Sequence, residues 1–490
     1  MRPLQSSAMN LDALIRALAP SETIGQRPVE IRDLACDTRH VTAGTLFFCV
    51  PGSRADGHEL AAEAVASGAV ALVVERPLAI AVPQLVVEMT RAAMAVAADV
   101  FFGEPTAKLD VAGVTGTNGK STTTFLLRSI LEADGRGTGL VGTVEWVIGG
   151  QIRPAPHTTP ETIDLQRLFR EMVDAGDTAV ALEASSHGSL YRRLDRVRFD
   201  ALVFTNLTQD HLDLHGDMET YFQAKRALFT GVAPPPAAVN LGDPYGRRLA
   251  EELEGAHRAP LVTFGLRPEA EVRADELELG SRGSTFTAAG IVLETSLLGI
   301  FNVENVLGAV AASLLLEVDE DAIVEGVRRV RGVPGRFEAI DEGQPFTVLV
   351  DYAHTPDALD TVLRAARPLG DGKLIVVFGA GGDRDRDKRR AMGHVARERA
   401  DLAIVTSDNP RSEDPLAIIE EILHGAGSDV EIDPDRLSAI RRALEVAGPG
   451  DVVVIAGKGH EQGQEVAGVV YPFDDREIAR AVLGAESRHR

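Results

Sequence analysis

The feature that most constrains this chain is a recurring alternation of short apolar runs with amphipathic segments. TLFFCV (residues 45–50), AVALVVE (69–75), LDVAGVTG (109–116), TAVALEASSH (178–187), FTVLVDY (346–352), KLIVVFGA (373–380), LAIVTSD (402–408) and DVVVIAGKG (451–459) are each short enough to be a strand buried on both faces. Helix-compatible sequence lies between successive runs, the crossover that parallel strands require. The expected fold class is therefore α/β, with doubly wound parallel sheets. At 490 residues and 44% hydrophobic composition the chain can bury several cores, and its length predicts about three domains. The pattern divides it into residues 1–105, a small α/β block with helix-like HELAAEAVASG between its first two strands; residues 106–331, opening on LDVAGVTG and containing a PPP turn at 234–236; and residues 332–490, a second doubly wound block. Closely spaced glycine and proline between Arg331 and Arg336 predict a hinge between the last two. Neither an internal repeat nor a low-complexity tract interrupts this order.

Charge excludes several partners. Fifty Lys and Arg against 73 Asp and Glu leave a net charge of −23, so no basic surface for nucleic acid is expected and any anionic ligand must be held by local groups. Cys36 and Cys49 are the only cysteines, too few for a disulfide framework. The first residues, MRPLQSSAMNLDALIRALAP, lack the long apolar core of a secretory signal, and no apolar run approaches the ~18 residues of a membrane span. The expected setting is the cytoplasm, without membrane insertion, and the expected state is a monomer.

The sharpest chemical signal is GVTGTNGKSTTTF, residues 113–125, preceded by a strand and followed by an amphipathic helix. A glycine-rich turn at a helix N-terminus brings backbone N–H groups against phosphates. Gly116, Thr117, Asn118, Gly119, Lys120, Ser121 and Thr122 would form such a cradle for ATP, with Lys120 on the β and γ phosphates and the Ser121 hydroxyl on Mg²⁺. The strict pattern asks for glycine where Val114 stands; the glycines here are at 113, 116 and 119. A metal beside phosphates needs oxygen or nitrogen ligands at strand ends. TAVALEASSH ends at Glu183 where such a ligand would project, and ALVFTNLTQDHLDLHG delivers Asn206, Asp210, His211, Asp213 and His215 at the end of the next strand. That polar run is read either as part of the site or as a solvated loop. Lys225, in YFQAKRALF, is read from its pattern only as a solvated charge on a helix.

TGTNGKS, EASSH, NLTQDHLDLHG and YFQAK are similar, in order and spacing, to motifs of the Mur ligases of bacterial peptidoglycan synthesis. The resemblance continues through GIFNVENVLGA (299–309), GRFE (335–338), DYAHTPDAL (351–359), FGAGGDRDRDKR (378–389), SDNPRSEDP (407–415) and GKGHE (457–461), and so covers nearly the whole chain. It implies a three-domain architecture and an ATP-dependent ligase that phosphorylates a substrate carboxylate to an acyl phosphate, which an incoming amine then attacks. It makes Lys120, Lys225, His211 and Arg336 catalytic, with Lys225 carbamylated to N6-carboxylysine so that it ligates Mg²⁺ together with Ser121, Glu183 and His211. It assigns Asn302 and Asn305 to the adenine and Asp351 to the ribose. On chemistry alone the alternative reading of the two asparagines is as helix caps.

The resemblance further assigns the first block to a UDP-sugar. Cys36, Thr38, Ser53, Arg54 and Ala55 fall on uridine-diphosphate contacts, and Thr158, Thr159, Ser185 and Arg193 fall at the muramoyl-peptide end. His157 and Tyr191 depart from the asparagine and glutamine expected there. The third block resembles that of diaminopimelate-adding members, through the DNPR run Asp408, Asn409, Pro410 and Arg411, with Arg384, Gly457 and Glu461. A guanidinium suits the distal carboxylate that distinguishes meso-diaminopimelate from lysine. The same four residues also read as a turn before a helix. Two other functions compete: a lysine-adding member of the family, and a phosphate-loop NTPase switch, which would need neither DYAHTP nor GKGHE.

Overall fold

The computed structural model describes residues 8–52, 55–231, 233–280 and 282–487. Its mixed α/β organisation is that expected from the alternating pattern. Among the described residues, nine strands form the central sheet in the order Gln151–Pro154, Glu145–Ile148, Thr138–Val141, Ala179–Glu183, Asp110–Thr115, Ala201–Phe204, Ala237–Asn240, Leu261–Gly265 and Val272–Arg273. All adjacent pairs from Thr138–Val141 onward are parallel, and the first two strands form an antiparallel edge hairpin. Asp110–Thr115 lies mid-sheet between Ala179–Glu183 and Ala201–Phe204, so three loops leave adjacent strand ends at the point where chain order reverses. Crevices at such switch points are where doubly wound sheets bind ligands.

The strand faces are packed by the helices Lys120–Ala133 and Ile300–Leu315 on one side and Thr162–Ala175 on the other, giving two separate cores. STFTAAGIVLET contributes an element that the parallel pattern does not foretell. It forms most of an antiparallel sheet, Asp275–Gly280, Gly283–Ala288 and Ile291–Thr295, whose Phe286, Ala288, Ile291 and Leu293 join the core beside Val306 and Ile323. An alternation of buried and exposed residues along Ile291–Thr295 marks a strand with one wet face.

The N-terminal sheet runs Glu22–Ile24, Gln84–Val86, Ala69–Val74, Thr45–Phe48 and Asp33–Ala35. It is tied to the central unit by Arg167 donating to Asp33 at 2.8 Å. TLFFCV is strand only as far as Phe48. The C-terminal sheet runs Glu338–Ala339, Thr347–Asp351, Val452–Ala456, Leu374–Phe378, Leu402–Val405 and Glu431–Ile432, parallel except at the first strand. Helices Pro356–Ala366, Asp387–Arg399 and Pro415–Ala426 cover one face, and Arg436–Val446 with Asp475–Ser487 covers the other. Among the described residues no helix is long and apolar enough to cross a membrane.

Helices Asp387–Arg399 and Pro415–Ala426 touch backbone to backbone. A Cβ on Gly425 would lie 1.8 Å from the Arg390 carbonyl oxygen, and one on Gly393 would lie 2.2 Å from that of Ile422. Gly425→Ala must push the helices apart, at a cost of roughly 1–3 kcal/mol beyond the ~1 kcal/mol that alanine gains in helix propensity. The expected result is a lowered urea midpoint for unfolding of the C-terminal unit; an unchanged midpoint would show that the crossing is not close-packed.

Candidate active site

Residues 116–119 leave the strand Asp110–Thr115 and wrap the N-terminus of Lys120–Ala133. Gly116 and Gly119 have φ of 149° and 86°. A Cβ on Gly116 would fall 1.8 Å from Thr205 Oγ1, and one on Gly119 would fall 2.3 Å from Asn305 Oδ1. The neighbouring strand end holds the loop's shape. Thr205 Oγ1 and Asn206 Nδ2 donate to the Asn118 carbonyl at 2.7 and 3.2 Å, and the Asn118 amide donates to Asn206 Oδ1 at 2.9 Å. The Thr117 amide donates to the Asn206 carbonyl at 2.9 Å. Ser121 and Thr122 are buried in the first turn of the helix.

Two lysines converge on one carbonyl. Lys120 Nζ donates to Gly116 O at 3.0 Å and to Thr117 O at 2.7 Å, while Lys225 Nζ donates to Gly116 O at 2.8 Å. Lys225 is 1% exposed, which overturns its reading as a solvated charge. Tyr221, one helical turn earlier, places its ring 4.8 Å from that Nζ and its hydroxyl 3.2 Å from Thr117 Oγ1. Burial holds the Lys225 amine well below the usual lysine range, helped by the Lys120 charge and opposed by Asp210. Burial lowers Lys120 as well, with Glu183 opposing and Arg336 reinforcing.

Glu183 ends its strand 1% exposed, its carboxylate accepting from the Thr143 amide at 2.8 Å and the Thr143 hydroxyl at 2.9 Å. No Lys, Arg or His among the described residues forms an ion pair with it. The polar run after Phe204 is only partly solvated. His215 is buried and stacks on Tyr221 at 4.8 Å between centroids, and His211 meets His187 edge-on at the same distance. His211 takes a left-handed φ of 53° and sits 3.4 Å from Asp210; burial pushes it down to about 4. No three His, Cys, Asp or Glu side chains among the described residues form a ready-made metal cluster.

Asn302 and Asn305 are not helix caps. Gly299 is the cap residue of Ile300–Leu315, and the asparagines lie inside its first turns. Asn302 Nδ2 donates to Leu298 O at 2.8 Å and Asn305 Nδ2 to Asn302 Oδ1 at 2.9 Å, which leaves Asn305 Oδ1 toward Gly119. From the third unit, Asn118 Nδ2 meets Asp357 Oδ2 at 3.4 Å. Asp351 accepts from the Phe337 amide at 2.6 Å, and burial pushes its carboxyl up to about 6 against the pull of Arg336. The Arg336 guanidinium lies over the Tyr352 ring at 4.6 Å, and its buried Nε has no hydrogen-bond partner among the described residues.

The DNPR run forms a compact knot. Asn409 Nδ2 donates to Glu461 Oε2 at 2.7 Å; the fully buried Lys458 donates to Asn409 Oδ1 at 3.0 Å and to Glu461 Oε2 at 3.2 Å. Gly457 packs against Asp408, whose Oδ2 a Cβ would meet at 2.7 Å. Arg411, with a left-handed φ of 52°, donates from Nη1 to Gly382 O at 2.5 Å and faces Glu465 at 3.6 Å. Pro410 adjoins the Gly381–Gly382 turn, and Arg384 is exposed beside it.

Of the residues assigned to the UDP-sugar, Cys36 and Thr38 are half-buried, Ala55 is exposed, and Ser53 and Arg54 lie outside the described residues. Burial, with Glu161 adding, pushes the Cys36 thiol up to about 12. Thr159 Oγ1 lies 2.8 Å from both Glu183 O and Ser185 Oγ, Arg193 donates to Thr159 O at 2.9 Å, and Thr158 joins Thr143 at 2.9 Å. Thr159, Ser185 and Arg193 therefore form one bonded cluster beside Glu183, to which Thr158 is linked through Thr143. Thr205, Tyr221, Lys388 and Lys458 were not singled out from sequence. All four lie inside the runs ALVFTNLTQDHLDLHG, YFQAK, FGAGGDRDRDKR and GKGHE, but nothing in those runs marks them, because bracing groups carry no spacing rule of their own.

Three family models match the chain in succession: "Mur ligase family, catalytic domain" over residues 30–114, "Mur ligase middle domain" over 114–313, and "Mur ligase, glutamate ligase domain" over 335–459. The chain is 46% identical over 469 residues to the UDP-N-acetylmuramoyl-L-alanyl-D-glutamate–2,6-diaminopimelate ligase of Geobacillus thermodenitrificans, covering 93% of this chain and 95% of that one. A solved structure of an enzyme of that name superposes with a TM-score of 0.70 at 33% identity, covering 97% of this chain and 99% of that one. The MurF ligase of Thermotoga maritima, solved in complex with ADP, shares the fold at a TM-score of 0.61 and 18% identity, over 93% of this chain and 98% of that one.

The Gly119 geometry gives a direct test. Any side chain there adopts a disfavoured left-handed backbone, costing roughly 1–2 kcal/mol, and collides with Asn305. Gly119→Ala is expected to weaken Mg·ATP binding at least ~10-fold by calorimetry, since ~1.4 kcal/mol is tenfold. Wild-type affinity would mean that the loop does not approach the nucleotide.

Proposed function

The chain belongs to the Mur ligase family, and on that premise we propose that it is an ATP-dependent ligase joining meso-2,6-diaminopimelate to the D-Glu side-chain carboxylate of UDP-N-acetylmuramoyl-L-Ala-D-Glu. The observation that carries this reading is the meeting of two sites at one seam. Asn118 of the phosphate loop reaches Asp357 of the third unit at 3.4 Å, and Tyr352, whose ring lies 4.6 Å under the Arg336 guanidinium, is 5.2 Å from the ring of His460, in the run that carries Lys458 and Glu461 of the DNPR knot. A phosphoryl donor and an amino-acid acceptor held there share one reaction space.

A carboxylate is a poor electrophile, and transfer of the γ-phosphoryl group to it makes an acyl phosphate. The amine of diaminopimelate then forms the C–N bond as the C–O bond to phosphate breaks, and the amine gives up a proton. Little of this calls for covalent participation by the protein, so positioning and charge carry the catalysis. Residues 116–121 cradle the phosphates, Lys120 neutralises them, and Arg336 has donors free to meet the charge that develops on the transferred group. Asn305 and Asn302 face the base, and Asp351 the ribose. Thr158, Thr159, Ser185 and Arg193 hold the muramoyl peptide, and Cys36, Thr38 and Ala55 lie on the UDP side. Consumption of ATP places the reaction in the cytoplasm.

The residues suit Mg²⁺. Glu183 is a buried carboxylate with no ion-pair partner among the described residues, and Ser121 and His211 supply further donors, a set that suits a cation held by one or two carboxylates plus substrate phosphates. When bound, Mg²⁺ neutralises charge on the β and γ oxygens. Lys225 fits as its carbamate. Burial disfavours the charged form of this amine, and the neutral form has the lone pair to add to carbon dioxide, forming an N–C bond and releasing one proton; the product is an oxygen ligand.

Lys225→Ala is therefore expected to lose nearly all activity and to regain part of it with added formate or acetate, measured as phosphate release. Full activity without carboxylate would remove the carbamate from the mechanism. Selectivity tests the amino-acid site. Arg411, a quarter exposed and 3.6 Å from Glu465, would be buried when the amino acid covers it, and a guanidinium buried in that way without its carboxylate costs about 2–5 kcal/mol, or roughly 30-fold to several thousand-fold. In assays with ATP, UDP-muramoyl dipeptide and either amino acid, the wild type should prefer diaminopimelate to lysine by that factor. Arg411→Ala should raise the KM for diaminopimelate and narrow the gap while leaving the KM for ATP unchanged. Preference for lysine in the wild type would make the protein a lysine-adding family member.

A further inference from the structure

Beneath the DNPR run lies an arginine that no substrate could reach. Arg389, on the helix Asp387–Arg399, is 0% exposed. Its Nη1 donates to Glu413 Oε2 at 2.9 Å and Glu421 Oε2 at 2.8 Å, and its Nη2 to Glu413 Oε1 at 2.7 Å and the Gly381 carbonyl at 3.2 Å. Only Nε is without a partner. Taking a guanidinium out of water is costly unless its donors are matched, so what it holds repays inspection.

Glu421 lies on Pro415–Ala426, and a bond to it alone would serve only to dock two helices. Glu413 and Gly381 lie outside both helices, in the two loops that carry Arg411 and Arg384. Those loops are zipped together above the arginine. The Gly382 amide donates to Asn409 O at 2.9 Å, the Asp383 amide to Glu413 Oε1 at 2.6 Å, and the Ser412 hydroxyl to Asp383 Oδ1 at 2.6 Å. Successive carbonyls of one turn face the two arginines, Gly381 O toward Arg389 and Gly382 O toward Arg411.

We infer that Arg389 is a positioning residue of the amino-acid site: by gripping Glu413 and the Gly381 carbonyl at once, it fixes the spacing of the loops that present Arg384 and Arg411 to the incoming amino acid. The inference rests on reading this site as the one that takes the amino acid. A bidentate fork is intolerant of displacement, and a misplacement of ~1 Å can cost on the order of 10²-fold. The loss should fall on the KM for the amino acid, because nothing in the network touches the phosphate loop.

Glu413→Gln is the cleanest test. Its amide oxygen could still take the two bonds that Oε1 accepts, but the amide nitrogen would stand where Oε2 accepts from Arg389 Nη1 and would set N–H against N–H, so the bidentate grip is lost. Its position is partly exposed, so the variant should fold. Glu421→Gln is the control: it perturbs the same arginine and otherwise meets only Arg386, the cap residue of Asp387–Arg399, and neither Glu413 nor the Gly381 turn. With full-length enzyme, Glu413→Gln and Arg389→Lys should raise the KM for diaminopimelate about 10- to 100-fold, with kcat at saturation, the KM for ATP and the KM for the UDP-sugar within about twofold of wild type. Glu421→Gln should keep all three KM values. An amino-acid KM within twofold in Glu413→Gln, an equal rise for all three substrates, or an equal effect in Glu421→Gln would overturn the inference. If the wild type uses lysine instead, the substrate reading fails, and the KM for lysine then measures the clamp.

Discussion

Lys120 and Lys225 both reach for the carbonyl oxygen of Gly116, and most of the central unit is arranged around that contact. A chain of net charge −23 cannot gather a polyphosphate by its overall field, so it needs cations at one point, out of water and close together. Two ammonium groups there would repel. The conflict is eased by inequality: burial lowers both amines, but Lys225 is sealed under Tyr221 and falls well below the lysine range, while Lys120, at the helix N-terminus, is only half-buried and has Glu183 opposing the shift. The bonds from Thr205 and Asn206 to Asn118 hold the turn in the only shape in which both amines meet that carbonyl. Gly116 and Gly119 are glycine because Thr205 and Asn305 occupy the space that a side chain would need.

The C-terminal unit solves a different problem by related means. Arg411 sits in a left-handed conformation, strained by roughly 1–2 kcal/mol, and is held there from both sides. Its amide donates to Glu465 O at 3.0 Å and its carbonyl accepts from the Ala467 amide at 2.7 Å, both on the hairpin Gly463–Val466 and Val469–Pro472. Lys458 lies buried among Asn409, Glu461 and Asp408, so the acidic side of the knot is already partly neutralised. A ligand entering there meets a cationic fork and a tempered anionic corner, which suits a zwitterionic head group better than a bare ammonium.

The sequence disclosed these features unevenly, for physical reasons. Apolar runs and the glycine-rich turn are local patterns, so the parallel sheets, Lys120 and the strand-end position of Glu183 were legible directly. The antiparallel sheet around Phe286 was not, because its wet face breaks the continuous apolar runs that announce buried strands. Lys225 misled for a sharper reason. Nothing within its helix shows that Gly116, 109 residues away, supplies the acceptor, and periodicity cannot report a partner of that kind. Resemblance to a family supplied its role without the cause, and the cause is burial against a backbone carbonyl. Arg389, Tyr221 and Lys458 escaped because residues that hold other residues have no spacing signature.

This asymmetry bears on what such a site can tolerate. The residues proposed to touch substrate are few and sit at strand ends and loop turns, where the backbone is irregular and costs energy to hold. Gly116, Gly119, His211 and Arg411 all take positive φ. The phosphate turn and Arg411 are held by partners distant in sequence, Thr205 for the turn and the hairpin carbonyl of Glu465 for Arg411, and Asn305 fills the space beside Gly119. Strain at the chemistry is thus offset by hydrogen bonds made outside it, and the bracing residues are as necessary to function as the ones they hold. A substitution at Thr205 or Glu413 removes no contact to substrate, yet it releases a backbone whose relaxed conformation points the functional groups elsewhere.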